Sequence, residues 1–164
     1  MRYTVLSNEI WQDDAFLDLD RDNKLFYYYL LSSPNGNAAG MFRQSEKIIN
    51  RDMWEGASEM LYADTKLWKY DPEASVVLIP NYLKYNQAKN ARQIKGLNNA
   101  LKGLPETPLL IDFFCAFYKY SDVSLIKLFD DWITRATKAE ALRIMEKDPR
   151  NRKAILVTTL LQDI

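Results

Sequence analysis

The feature that most limits the fold is a pair of β-type runs in the middle of the chain, at residues 66–70 and 75–79. The four residues between them, Asp71-Pro72-Glu73-Ala74, make a turn-forming spacer with the length of a hairpin connection. The sequence therefore predicts a β-hairpin over this region.

Helical segments and one short strand precede this hairpin. Apolar residues recur at helical spacing after Asp20, and the turn residues 34–37 end that segment. In chain order, the predicted elements are a β-prone run at 4–6, a helix from about Ile10 capped by Ser7 or Asn8, a helix at 20–33, a strand at 41–43, a helix at 45–51 and a helix at 56–65. The helix at 56–65 is the third helix of a helix-turn-helix unit whose first two are those at 20–33 and 45–51. A strand, three helices and a hairpin in this order are typical of a winged helix-turn-helix.

The rest of the chain is predicted to be helical. One helix starts near Asn90, one apolar face spans 123–133, and residues 139–145 extend or restart it. Pro149 begins a last helix with Ile155, Leu156, Thr159 and Leu160 on its apolar side. The expected fold class is mainly α with a small β-hairpin, a winged helix-turn-helix followed by a C-terminal helical segment. We expect a winged-helix domain at 1–86, a basic helical extension at 87–118 and the C-terminal helical segment at 119–164.

Several classes of function are disfavoured by the residue types present. The chain has no histidine, which removes most hydrolytic triads, the usual zinc sites and the commonest general base. Its five glycines form no phosphate-binding loop, and the carboxylate pairs at 13–14 and 130–131 are adjacent, so on a helix they point apart. We therefore expect no enzyme, no cofactor and no metal site.

Cellular location is also constrained. The single Cys115 lies in an apolar run, and we expect a buried, reduced thiol. The N-terminus has no secretory signal, and no apolar stretch approaches the roughly 20 residues that cross a bilayer. The sequence therefore predicts a cytoplasmic protein without a membrane partner.

Positive charge is concentrated in one part of a chain whose net charge is zero. Residues 84–102 contain no acidic residue and five basic ones, which are Lys84, Lys89, Arg92, Lys95 and Lys102. Arg92 and Lys95 are three apart on the predicted helix and share a face suited to neighbouring phosphates. This pattern predicts a DNA-binding surface. The alternative that stays open is an ordinary solvated helix face opposite the apolar side of the same helix, which comprises Ile94, Leu97, Ala100 and Leu101.

The third predicted helix is a poorer candidate for DNA contact. It carries Glu59 and Asp64 and no basic residue, so only Ser58, with Asn50 and Arg51 from the preceding helix, is available to approach bases. A second basic group is interrupted by acids and is interpreted as solvated surface; it comprises Arg143, Lys147, Arg150, Arg152 and Lys153.

The aromatic residues divide into two groups. Core positions are expected for Trp11, Phe16, Phe26 and Tyr29, which recur at buried spacing. Tyr82 and Tyr85 lie beside the basic segment, where they are suited either to stacking on bases or to packing under the wing.

Three separated segments resemble one known family. Residues 24–34, 70–86 and 90–110 are similar, in the same order, to a helix, the wing with its following segment, and the tail of the N-terminal winged-helix domain of phage and prophage replication proteins of the replisome-organizer type. The similarity extends over about residues 1–118. The stretch between the third helix and the wing is shorter than in the family, and residues 119–164 match no part of it.

The resemblance implies a DNA-replication accessory protein of phage type whose winged helix binds DNA, duplex or single-stranded. Replication proteins such as a helicase or its loader are the protein partners that it implies. Two alternatives stay open: a protein-interaction module, either a helicase-loading adaptor or an inhibitor of a host machine, and a transcriptional regulator, which would need a dimer on a palindromic site. The sequence leaves the oligomeric state open.

Overall fold

The fold is mainly helical with a small antiparallel sheet, as predicted. In the computed structural model, residues 6–162 are described. The strands are β1 (Met41–Arg43), β2 (Lys69–Asp71) and β3 (Val76–Leu78). The α-helices are α1 (Asp14–Leu17), α2 (Arg21–Ser32), α3 (Glu46–Asp52), α4 (Tyr82–Tyr85), α5 (Ala91–Leu101), α6 (Leu109–Tyr120), α7 (Asp131–Lys147) and α8 (Arg152–Leu160). Three 3₁₀ helices lie at Asn8–Gln12, Ala57–Tyr62 and Val123–Leu128.

The sheet has the strand order β1-β3-β2 with antiparallel pairing throughout. Leu78 of β3 faces Met41 on one side and Lys69 on the other. Because β1 precedes α3 and the β2–β3 hairpin follows it, the connectivity is that of a winged helix-turn-helix. The β-prone run predicted at residues 4–6 lies outside the described residues, apart from Leu6, which is in neither a helix nor a strand.

Side-chain caps define where the main helices begin. Asp20, Ser45 and Asn90 each accept the backbone N–H three residues later, at 2.8, 3.3 and 3.0 Å. Such caps satisfy one of the N–H groups that lack a partner at a helix start. The predicted starts of α2, α3 and α5 are thereby confirmed.

The third helix of the winged-helix unit is shorter than predicted. It is a 3₁₀ segment at Ala57–Tyr62 instead of a helix over 56–65, and β2 begins only at Lys69. The Asn50 side chain accepts the Ser58 N–H at 2.8 Å, and the Trp68 indole N–H donates to the Met60 carbonyl at 3.0 Å. These tertiary hydrogen bonds hold the segment against its neighbours in a compact form.

The sheet is the middle layer of the molecule. Phe42 and Val77 point into a core made with α1, α2, α3 and the 3₁₀ helix Ala57–Tyr62. Met41, Val76 and Leu78 point the other way, into a core made mainly by α5 to α8. Alternating side chains on a strand face opposite sides, so β3 is buried on both faces. The boundary predicted at residue 118 falls inside this second core, which runs from α5 to α8.

Polar contacts fix the wing to the second core. The Lys69 ammonium of β2 and the Lys153 ammonium of α8 lie 2.7 and 2.5 Å from the same carboxylate oxygen of Asp112 in α6. The Thr107 hydroxyl donates to Asp71 at 2.6 Å. The hairpin is therefore held against α6 and does not project freely.

The continuous apolar face predicted over 123–133 is interrupted. A 3₁₀ helix ends at Leu128, and α7 begins at Asp131. Between them, the Asn98 side chain of α5 donates to the Leu128 carbonyl at 3.0 Å and accepts the Asp130 N–H at 3.1 Å. Because this side chain pairs with backbone groups that a continuous helix would pair internally, the helix is interrupted at this point. Phe129 packs into the core there, with its ring centroid 5.1 Å from that of Phe117.

The prediction for the last helix is wrong in its start and its buried face. It begins at Arg152, capped by Asn151, and not at Pro149. Ala154, Val157 and Leu161 face the core, while Ile155 is 41% exposed. The small side chain of Ala154 allows α8 to pack closely on α6 and α7. A pattern based on large apolar residues does not include this alanine.

One aromatic residue is also misplaced by the sequence pattern. Phe16 and Phe26 are fully buried and Tyr29 is half-buried, but Trp11 is 59% exposed. Its ring lies edge-on to Phe16 at 5.4 Å and covers that side chain from outside.

Cys115 is half-buried with a free thiol, and burial raises the pKa of that thiol. Over residues 6–162, no helix has the length and apolar character needed to cross a membrane.

Candidate nucleic-acid interface

The basic residues predicted from the sequence lie on or next to α4 and α5. Lys84 lies in α4, Lys89 in the following loop, and Arg92, Lys95 and Lys102 on or just after α5. All five are exposed, and the last four have no salt bridge with any residue in 6–162. Their charges are therefore available to an external anion.

Helix α5 separates charged from apolar side chains. Ile94, Leu97 and Leu101 are buried in the second core, as predicted, and Asn98 lies among them. Arg92, Lys95 and Lys102 follow one another at spacings of three and seven residues, which keeps them on one side of a helix. At a rise of 1.5 Å per residue, this row extends over about 15 Å.

A polar cleft of about 880 Å³ opens beside this row. It is lined by α4, the loop 86–90 and the first two turns of α5, and the N-terminal segment also contributes to the lining. The lining side chains and backbone belong to Ser7, Glu9, Ala38, Tyr82, Lys84, Tyr85, Asn86, Gln87, Ala88, Lys89, Gln93, Gly96 and Leu97.

Lys84 and Tyr85 form one unit at the rim of the cleft. The Lys84 ammonium donates to the Tyr85 hydroxyl at 3.1 Å and lies 4.9 Å from the centroid of its ring. This hydrogen bond is the main reason that the pKa of Lys84 is raised, with smaller contributions from Tyr85, Asp13 and Glu9. Lys84 is therefore fully charged at neutral pH, and the Tyr85 side chain remains 38% exposed.

The other predicted stacking residue, Tyr82, is held more tightly. It packs against the winged-helix core next to Gly40, whose φ of +64° brings the backbone close to the tyrosine. A Cβ atom at residue 40 would lie only 2.4 Å from the Cβ of Tyr82. Tyr82 therefore forms part of the cleft wall, and Tyr85 is the more accessible ring.

Two predicted DNA-binding residues lie elsewhere. Arg51 in α3 lies 2.6 Å from the Asp52 carboxylate, and Ser58 is only 5% exposed. Neither lines the cleft. The surface formed by α4 and α5 is thus separate from the third helix that a winged helix-turn-helix usually presents to DNA.

Several residues of the cleft were not found from the sequence. Gln93 and Gly96 follow Lys89 at helical spacing, so the pattern could have placed them on the same face. Glu9 comes from the distant N-terminal segment, and no local pattern connects it with α5. Within the described part of the chain, no group of His, Cys, Asp or Glu side chains is arranged to hold a metal ion.

Two of the five residues in the second basic group have internal partners. Arg143 pairs with Glu140 through two hydrogen bonds, and Lys153 pairs with Asp112. Lys147, Arg150 and Arg152 are exposed and form no salt bridge with residues 6–162.

Comparison of the chain with protein families, curated protein sequences and solved structures finds no match.

Proposed function

We propose that the protein binds DNA through the exposed surface formed by α4, the loop 86–90 and α5, as a cytoplasmic accessory protein of phage-type DNA replication. The observation that carries DNA binding is the row of exposed cations on α5 without internal counter-charges. Such cations release condensed counterions when they neutralise phosphates, and this supplies much of the affinity for nucleic acid. The replication role is supported by the resemblance of residues 24–34, 70–86 and 90–110 to replisome-organizer proteins.

This surface is favoured over the third helix of the winged-helix unit. That helix is a short 3₁₀ segment that carries the acidic Glu59, and its Ser58 is buried. The wing is held by Asp112 and Thr107 and bears Asp71 and Glu73, which would repel phosphates. In this proposal, the winged helix is the scaffold and α5 is the DNA-binding element.

The proposal is tested by fluorescence anisotropy with a labelled 20-base-pair duplex of random sequence across a salt series. Five phosphate contacts give a slope of log K against log salt of about −4.5. The variant with alanine at Arg92, Lys95 and Lys102 retains two contacts and should give about −1.8. The matched control replaces Lys147, Arg150 and Arg152 with alanine, which removes the same charge from another exposed region.

Retention of the wild-type slope by the α5 variant would refute this surface as the binding site. An equal reduction of the salt slope in both variants would mean that DNA binding depends only on the overall charge of the protein. If wild type does not bind even at low salt, the protein-interaction alternative gains support. In that case the exposed apolar side chains of Trp11, Leu17 and Leu25 are the first surface to test.

A further inference from the structure

The cleft beside α5 has features that phosphate contact alone does not need. We propose that it receives an unpaired base, so that the protein binds a single strand of nucleic acid in preference to a duplex. This inference rests on the proposed function, because the strand backbone would be held by the cations of α5.

The cleft is polar and large enough to admit a planar polar ring. Ligand pockets commonly measure about 300–1,000 Å³, and the volume here is about 880 Å³. A base in a duplex is paired and stacked between its neighbours and cannot enter such a cleft, whereas a base in a single strand can turn out of the strand.

Three side-chain amides line the cleft, each fixed by one hydrogen bond from one half of the amide. The Asn86 NH₂ donates to the Tyr82 carbonyl at 3.0 Å, and the Gln87 NH₂ donates to the Lys84 carbonyl at 3.4 Å. Gln93 instead uses its oxygen, which accepts the Lys89 N–H at 2.7 Å. Two amide oxygens and one NH₂ group are left without partners among residues 6–162. Amides that are oriented in this way can donate to and accept from the edge of a base.

An aromatic ring stands at the rim of the same cleft. Tyr85 is partly exposed, and the Lys84 ammonium lies against its ring and hydroxyl. Exposed aromatic side chains beside cations are the usual platform on which single-stranded nucleic acids stack their bases. Lys89 lines the cleft and Arg92 follows on α5, so both cations are available to phosphates that adjoin a bound base.

Gly96 provides an independent observation. It lies in the interior of α5, where glycine disfavours a helix, and an added Cβ would meet no atom within 4 Å. Internal packing therefore gives no reason for a glycine at this position. Gly96 faces the cleft, where the missing side chain leaves room for a ring to approach the helix backbone.

The test compares a labelled 15-nucleotide thymidine strand with a duplex of the same length at one salt concentration. The variants are Gly96→Leu, which places a bulky side chain in the cleft, and Tyr85→Ala, which removes the ring. Thr159→Leu is the matched control, because it adds leucine at an exposed position on another helix. Leucine is a better helix former than glycine, so Gly96→Leu should melt at or above the wild-type temperature.

We expect the wild type to bind the strand more tightly than the duplex. Gly96→Leu and Tyr85→Ala should each weaken strand binding about 10-fold and change duplex binding less than about 2-fold. Unchanged strand binding in Gly96→Leu, or equal wild-type affinity for strand and duplex, would overturn the inference and leave the proposed function standing. Absence of binding to both nucleic acids would overturn the proposed function itself. A last measurement uses thymidine monophosphate alone, and an affinity equal to that of the strand would assign the cleft to a free nucleotide instead.

Discussion

Replacement of Gly40 by alanine should be the most destabilising glycine-to-alanine change in the protein, for two separable reasons. The first is the backbone, because a φ of +64° is strained for any residue with a Cβ and costs about 1–2 kcal/mol. The second is the neighbour: the new methyl group would lie 2.4 Å from the Cβ and 2.5 Å from the Cγ of Tyr82. The Cβ atom of Tyr82 is fixed by the backbone, so no side-chain rotation relieves the closer contact, and we add about 1–3 kcal/mol for overpacking.

Gly103→Ala separates the two contributions. Gly103 also has a positive φ, +88°, but an added Cβ there would meet nothing within 4 Å. Urea denaturation followed by circular dichroism should therefore show a loss of about 1–2 kcal/mol for Gly103→Ala and about 2–5 kcal/mol for Gly40→Ala. Equal losses in the two variants would refute the argument, since the contact with Tyr82 would then have no energetic effect.

Two further predictions concern buried polar groups. Asn98→Ala leaves the Leu128 carbonyl and the Asp130 N–H without their partner at a 7% exposed position, so the free energy of unfolding should fall by about 2–4 kcal/mol. The control is the exposed neighbour Asn99, because Asn99→Ala should lower the free energy of unfolding by less than about 0.5 kcal/mol in the same urea titration. Similar decreases in the two variants would disprove the role of Asn98. Burial raises the pKa of Tyr27 above its usual value of 10.0. Above about pH 10, the unfolded state therefore loses the phenolic proton while the folded state keeps it, and the free energy of unfolding should fall as the pH rises. Tyr27→Phe removes the titrating hydroxyl, so the fall in the free energy of unfolding between about pH 10 and 12 should become shallower. An unchanged fall would contradict the assigned role of Tyr27.

Local signals predicted the parts of the fold that are determined locally. The starts of α2, α3 and α5 could be predicted from their capping residues, which are Asp20, Ser45 and Asn90, because a cap acts within three residues of its own position. The apolar spacing of α5 likewise identified its buried side, and with it the charged row opposite.

The errors arise where distant residues decide the local structure. The break between Leu128 and Asp131 depends on Asn98, about 30 residues earlier in the chain, and the apolar periodicity there contains no sign of it. The face of α8 was mistaken because close packing selected Ala154 and Val157 over the larger Ile155. The candidate site shows the same division: its cations were found from charge alone, but the cleft forms only where the N-terminal segment meets α4 and α5.

The position of the sheet between two cores affects what happens when the chain is cut. A fragment that ended near residue 86 would keep the elements of a winged helix but lose the helices that cover Met41, Val76 and Leu78. A sheet face stripped in this way is a contiguous exposed apolar patch, and such patches promote aggregation. A proteolytic product of this kind should therefore precipitate or be degraded, and the winged-helix portion should not survive as a soluble unit.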